Sequence, residues 1–211
     1  MTSEIADAIE AGLLAQRHQE EVEQAIHGFD AWDELRLHPL IHSALRQAGW
    51  GVWPEQRYPK DRHKTSRSQG KRCDVVLTPT PDLPMRDPQI KATLFDTAPA
   101  VEPDQACWLE IKTVAQFETE GPFRRYAAEL MNPVTQDVKK IHDDPIIRHG
   151  GLLLILFTQS QAIAEHDLIA WHEHCLGRGL SVACPSIRGF AINDRIGNHW
   201  CAVAAFGVRG M

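Results

Sequence analysis

The sequence predicts an α/β domain, and three observations carry that expectation. Apolar residues recur at helical spacing in several separate stretches, and short runs with the two-residue period of strands lie between them. One continuous apolar run, residues 152–157, has the length of a strand buried on both faces. The chain has 211 residues, 43% hydrophobic and 24% charged, which is ordinary for a single domain that closes its own core without staples.

Taken in order, Ser3 is placed to cap a first helix with Ile5, Ile9 and Leu13 inside and a second apolar set at Val22, Ile26 and Phe29. Pro39 is expected to split the next helical region into a short turn at 31–37 and a helix at 39–48, the latter ending at Gly49. Trp50, Val52, Trp53 and Tyr58 predict a strand, bulged or near a sheet edge because of Pro54. Residues 59–71 read as a solvated loop, 73–77 as a strand, 78–105 as a proline-rich insertion and 107–114 as a strand. Pro122 after Gly121 would open a helix; Asn132 and Pro133 look like the cap and first residue of another, with Val134, Val138 and Ile141 inward. Beyond the buried strand come a helix at 161–176, strand material at 180–183, 190–192 and 200–208, and a hairpin loop at 193–198. The expected layout is one domain over 1–211: an N-terminal helix (1–29), a core (30–158) that carries the insertion, and a C-terminal helix with strands (159–211).

No apolar run reaches the roughly 18 residues needed to cross a bilayer, and the acidic N-terminus lacks the features of a secretion signal, so a soluble cytoplasmic protein is expected. Five cysteines without a C-x-x-C pair read as reduced thiols. A net charge of −6 and a pI near 6.0 seem to argue against a nucleic-acid partner. The distribution argues otherwise. Acid gathers in the N-terminal segment, whereas 57–72 carries Arg57, Lys60, Arg62, Lys64, Arg67, Lys71 and Arg72 against Asp61 alone.

The chemistry-bearing pattern lies on two strands, one with Asp74 in Arg72-Cys73-Asp74-Val75-Val76-Leu77, the other with Glu110 and Lys112 in Trp108-Leu109-Glu110-Ile111-Lys112-Thr113. Residues two apart on a strand share a face, so Glu110 and Lys112 project together beside an apolar strand. If the Asp74 strand lies alongside, two carboxylates and a backbone carbonyl, that of Ile111, form a partial oxygen shell for Mg²⁺ or Mn²⁺. Lys112 would then orient the attacking water or help to deprotonate it.

At these residues the chain resembles the PD-(D/E)XK, or restriction-endonuclease-like, nuclease superfamily. Asp74 matches its first acidic position, Glu110 the second and Lys112 the lysine, with Cys73 where the family name has proline. The resemblance implies an α-β-β-β-α-β core with one mixed sheet flanked by helices. It further implies a metal-dependent phosphodiesterase acting on DNA, and a homodimer if both strands of a duplex are cut. It also implies a glutamate near the metal on the first core helix, for which Glu34 is the candidate and Glu55 the rival. On the helix after the motif, Gln136 and Lys140, four apart on one face, or Lys139, would face DNA or the site. Lys60, Arg62, Lys64, Arg67, Lys71 and Arg72 are expected to track phosphates beside the site. The competing reading is a catalytically inactive member of the fold that binds nucleic acid or a protein.

Other patterns are weaker. His172, His174 and Cys175 suggest zinc, but on a helix the two histidines diverge. His38 and His42 have the i, i+4 spacing of a helical metal pair, though a polar helix edge is the blander reading. Trp53 and Tyr58 have base-stacking chemistry, with core packing the more ordinary use.

Overall fold

A computed structural model, describing residues 1–61, 71–86 and 99–209, has three layers, with helices on both faces of a mixed six-stranded sheet. In chain order the elements are α1 (Thr2–Val22), α2 (Glu34–Gln47), β1 (Gly51–Arg57), β2 (Arg72–Thr78) and β3 (Cys107–Ala115). A small hairpin of β4 (Phe117–Glu118) and β5 (Gly121–Pro122) follows, then α3 (Tyr126–Met131), α4 (Pro133–His142) and β6 (His149–Thr158). The chain closes with α5 (Gln161–Gly177), β7 (Ser186–Ala191) and β8 (Trp200–Val208). The sheet order is β1-β2-β3-β6-β8-β7, with β3 and β6 parallel and every other pair antiparallel.

The apolar run seen in sequence lies on β6, in the interior of this sheet. Leu152, Leu154 and Leu156 enter the core beneath α3, α4 and α5, while Leu153, Ile155 and Phe157 enter the one beneath α1 and α2. All six are fully buried, as a strand covered on both faces requires. Pro54 lies on β1, an edge strand, where its missing N–H costs no ladder bond.

Several local expectations are corrected. Helix α2 runs unbroken through Pro39, because the proline sits early and the carbonyl it deprives of a bond belongs to Leu35, an exposed residue at the helix start. Its N-cap is Asp33, whose side chain accepts the Arg36 N–H at 2.7 Å, and it ends at Gly49, which has φ 94°. Ser3 lies inside α1 instead of capping it, and of the second apolar set Val22 and Ile26 are exposed while Phe29 is buried in the same core as Leu13. Gly121 and Pro122 belong to a hairpin strand and not to a helix start; in the region 180–183 there is one isolated bridge, Val182 to Val208, and no strand. Among the described residues no helix is long and apolar enough to cross a membrane.

Gly150 brings α4 down onto β6. A Cβ there would collide with the Ile141 methyl and stand 3.0 Å from the Val208 carbonyl oxygen. Helix α4 carries Lys140 to Glu110, so this close approach also sets part of the site. Gly150→Ala is expected to lower stability by about 1–3 kcal/mol in urea unfolding. An unchanged midpoint and slope would show that α4 does not depend on this contact.

Candidate active site

Strands β2 and β3 pair at three positions only, Leu77 with Cys107, Val76 with Trp108 and Val75 with Leu109. Beyond Leu109 they part. β2 stays with β1 as far as Arg72, and β3 stays with β6 as far as Ala115. The backbone of β3 facing the gap therefore lacks strand partners, and buried N–H groups must find others. Two carboxylates take them: Asp74 Oδ2 accepts the Ile111 N–H at 2.7 Å, and Glu34 Oε2 accepts the Thr113 N–H at 3.1 Å. In an extended strand the N–H and C=O of one residue lie on the same side, so the Ile111 carbonyl also faces the gap that holds Asp74.

Glu110 projects from β3 toward α4 and is 1% exposed. The Tyr58 hydroxyl donates to its Oε1, and the Tyr58 ring, itself fully buried, stacks on Trp108 with centroids 5.9 Å apart. Lys140 Nζ lies 3.5 Å from the same oxygen and 2.6 Å from Asp137 Oδ1. Burial first, and then the Asp74 carboxyl within hydrogen-bonding reach, push Glu110 up to about 9; Lys140 and Tyr58 act the other way without reversing it.

Lys112 is fixed by the helix layer on the other face of the sheet. Its Nζ is 3.2 Å from Glu34 Oε2, and Glu34 is the first residue of α2, next to the Asp33 cap. Burial is the largest influence and would lower this lysine, but Glu34, Asp137 and Glu129 together outweigh it and the net shift is upward, which keeps an ammonium at the site.

The remaining candidates divide. Glu55 is exposed on β1 with φ 54°, and its backbone carbonyl accepts from Arg72. Lys60 is exposed and reaches the Lys140 carbonyl at 3.2 Å. Lys71, just before β2, and Arg72, its first residue, are exposed three and two residues before Asp74. Gln136 is exposed on α4, as is Lys139, whereas Lys140 turns inward. Arg62, Lys64 and Arg67 lie outside the described residues. Tyr58 is not available to stack bases, because it is buried beneath Glu110, and Trp53 is half-buried with its Nε1–H donated to Thr78. His172 is spent on the Val182 carbonyl, and Cys175 lies buried near Thr135.

Sequence reasoning missed the role of Tyr58 and undervalued the histidines of α2. His38 and His42 lie one and two turns beyond Glu34, and the Nε2 of each is buried without a hydrogen-bond partner. Burial, His38 and Arg46 lower His42 to about 4 while Asp74 opposes them, so the imidazole is neutral. The i, i+4 spacing from Glu34 was the signal available in the sequence.

Among the described residues no three His, Cys, Asp or Glu side chains already converge on one point. The acidic set is a pair, Asp74 and Glu110, completed by the Ile111 carbonyl. These are hard oxygen donors, and a carboxyl pair whose buried member, Glu110, retains a proton well above the usual range would suit a divalent cation.

The raised Glu110 has a consequence for stability. A carboxyl whose folded pKa lies above its unfolded value favours the folded state fully below about pH 4.5, and that contribution is lost as the pH rises to about 9. In chelator, Glu110→Gln should therefore match the parent near pH 4.5 and exceed it at pH 8 by at least about 1 kcal/mol, or about 2–4 °C in Tm. A Tm difference between the two that does not change with pH would refute this charge arrangement.

No family model, no curated protein and no solved structure matches this chain, so what the site does must be read from its own chemistry.

Proposed function

We propose that the protein is a divalent-cation-dependent nuclease with a restriction-endonuclease-like core, hydrolysing phosphodiester bonds of DNA. The observation that carries this reading is the parting of β2 from β3, which gathers Asp74, Glu110, the Ile111 carbonyl and the Lys112–Glu34 pair around one gap in the sheet. The order α2-β1-β2-β3-α4-β6, with antiparallel β1, β2 and β3 and a parallel β3–β6 pair, supports the same fold. Mg²⁺ or Mn²⁺, held by Asp74, Glu110 and the Ile111 carbonyl, would polarise the scissile phosphate and acidify the attacking water.

The chain's own groups then have separable tasks. Asp74 keeps one oxygen on the Ile111 N–H, which fixes its carboxylate toward Glu110. Tyr58 and Lys140 hold Glu110 in one orientation. Lys112, anchored by Glu34, offers its ammonium to the attacking water or to a phosphate oxygen. The water oxygen forms the new bond to phosphorus, the ester P–O bond breaks, and the departing oxygen takes up a proton.

Charge points to the direction of approach. A cavity of about 510 Å³ shares Glu34 and Thr113 with the site, but its lining also includes Asp30, Asp33, Glu118, Glu120 and Glu129, which repel phosphate. The exposed Lys60, Lys71 and Arg72 do not line it and lie instead on the flank where β2 begins and Lys60 reaches the Lys140 carbonyl of α4. The two ends of the basic segment are tied together there, since Asp61 accepts the Lys71 N–H at 3.0 Å and Asp144 the Lys60 N–H at 3.0 Å. We therefore assign the DNA path to that flank.

Supercoiled, linear and single-stranded DNA incubated with Mg²⁺ or Mn²⁺ should be cut, and chelator should stop cutting. Asp74→Asn should abolish it, and Lys112→Ala should slow it by about 10²–10³-fold. Full activity in Lys112→Ala, or no cleavage of any of the three substrates, would overturn the proposal. Joint neutralisation of Lys71 and Arg72 should weaken DNA binding and flatten its salt dependence by about two charges without altering cation binding.

A further inference from the structure

Buried polar atoms in folded proteins are almost always satisfied, so an orphaned one calls for an explanation. Two such atoms stand together on α2, the Nε2 of His38 and the Nε2 of His42, on rings whose centroids are 5.8 Å apart. His38 is 8% exposed, so its ring is one of the few buried polar side chains in the chain. Among the described residues neither Nε2 has a hydrogen-bond partner, unlike that of His172, which is bonded to the Val182 carbonyl. Glu34, one turn earlier on the same helix face, is already in the site through Lys112 and Thr113, and the Asp74 carboxylate acts on His42 from β2. The orphaned nitrogens thus share a helix with Glu34, and His42 feels the charge of Asp74.

We propose that His38 and His42 form a two-imidazole seat for a borderline divalent transition ion of the Co²⁺, Ni²⁺ or Zn²⁺ class, with water in the remaining positions and the Asp74 charge adding to its attraction. Imidazole is a ligand such ions favour, whereas Mg²⁺ prefers oxygen. With metal–nitrogen distances of about 2.0–2.1 Å and a tetrahedral angle, two rings on one ion have centroids about 5 Å apart. The observed separation is 5.8 Å, so the rings would have to close and turn their Nε2 atoms onto one point. The i, i+4 spacing presents both rings from successive turns of a helix whose start is already anchored. Binding at this seat needs nothing from the nuclease reading. Its role, a second cation position beside the Asp74–Glu110 pair with an influence on which ions support the reaction, rests on that reading.

The test uses the full chain freed of metal. Titration with Co²⁺, followed by visible absorption and calorimetry, should show a site that persists in Glu110→Gln and weakens at least about tenfold in His38→Asn and in His42→Gln. Mg²⁺ binding should follow the opposite pattern, unchanged by the histidine substitutions and lost in Glu110→Gln. Because His38 is buried and its replacement can disturb folding, the parent protein provides a second measurement: diamagnetic Zn²⁺ should shift the nitrogen-15 resonances of both Nε2 atoms. Co²⁺ affinity unchanged in the His38→Asn, His42→Gln double variant, or Nε2 resonances unmoved by Zn²⁺, overturns the proposal. Failure to cleave DNA with the Co²⁺ site intact would remove the nuclease reading and leave this seat standing.

Discussion

The parting of β2 from β3 is the constraint on which the rest of the site depends. A strand in mid-sheet normally gives its N–H groups to both neighbours, and β3 loses one neighbour after Leu109 while keeping β6 to its end. Leaving the Ile111 and Thr113 amides bare would cost about 1–3 kcal/mol each. Asp74 and Glu34 answer that need from different layers, one from the departing strand and one from the first turn of α2. Asp74 also comes within hydrogen-bonding reach of Glu110, and Lys112 Nζ lies 3.2 Å from Glu34 Oε2 and 3.4 Å from its Oε1. The same gap that must be bridged for stability is therefore the place where the polar groups collect.

Charge balance around the gap favours the cation proposed for it. Four carboxyls, Asp74, Glu110, Glu34 and Asp137, face two ammonium groups, Lys112 and Lys140, so the set falls two positive charges short if all are ionised. In the absence of an ion the shortfall is met partly by a proton, which Glu110 retains to about 9 because it is buried beside Asp74. On the proposed reading a divalent ion would supply both missing charges at once and displace that proton. Its binding would thereby be coupled to pH through Glu110.

Much of this was legible in the sequence, for reasons that can be stated residue by residue. The shared face of Glu110 and Lys112 follows from strand period alone, and the buried character of β6 from six consecutive apolar residues. The position of Asp74 was less accessible, because it depends on where two strands stop pairing, and no local pattern encodes that. Helix α2 was misjudged because Pro39 was weighed as a breaker, while Asp33 directly before Glu34 was the cap that marks the true start. That single misplacement left Glu34 and Glu55 as rivals and hid the line from Glu34 through His38 to His42. Tyr58 gave no usable signal, since an aromatic near a strand end has the same local pattern whether it lies on a surface or beneath a carboxylate.

The position of α2 is in turn set by the outer helix. Gly12 of α1 faces Ala44 of α2, and a Cβ at Gly12 would stand 2.7 Å from the Ala44 Cβ, so the two helices meet at a separation only glycine permits. Ile5, Ile9 and Leu13 of α1 share one core with Leu37, Ile41 and Leu45 of α2 and with Val75, Leu109 and Ile111 of the sheet. Successive positions Glu34, His38 and His42 advance about 40° around the helix per step, so a rotation of α2 moves all three together. A segment that reads in sequence as acidic packing thus governs the height and rotation of the helix that brings a glutamate to the gap in the sheet and carries two imidazoles on its following turns. Packing far from Asp74 and Glu110 is in this way part of what holds the site in register.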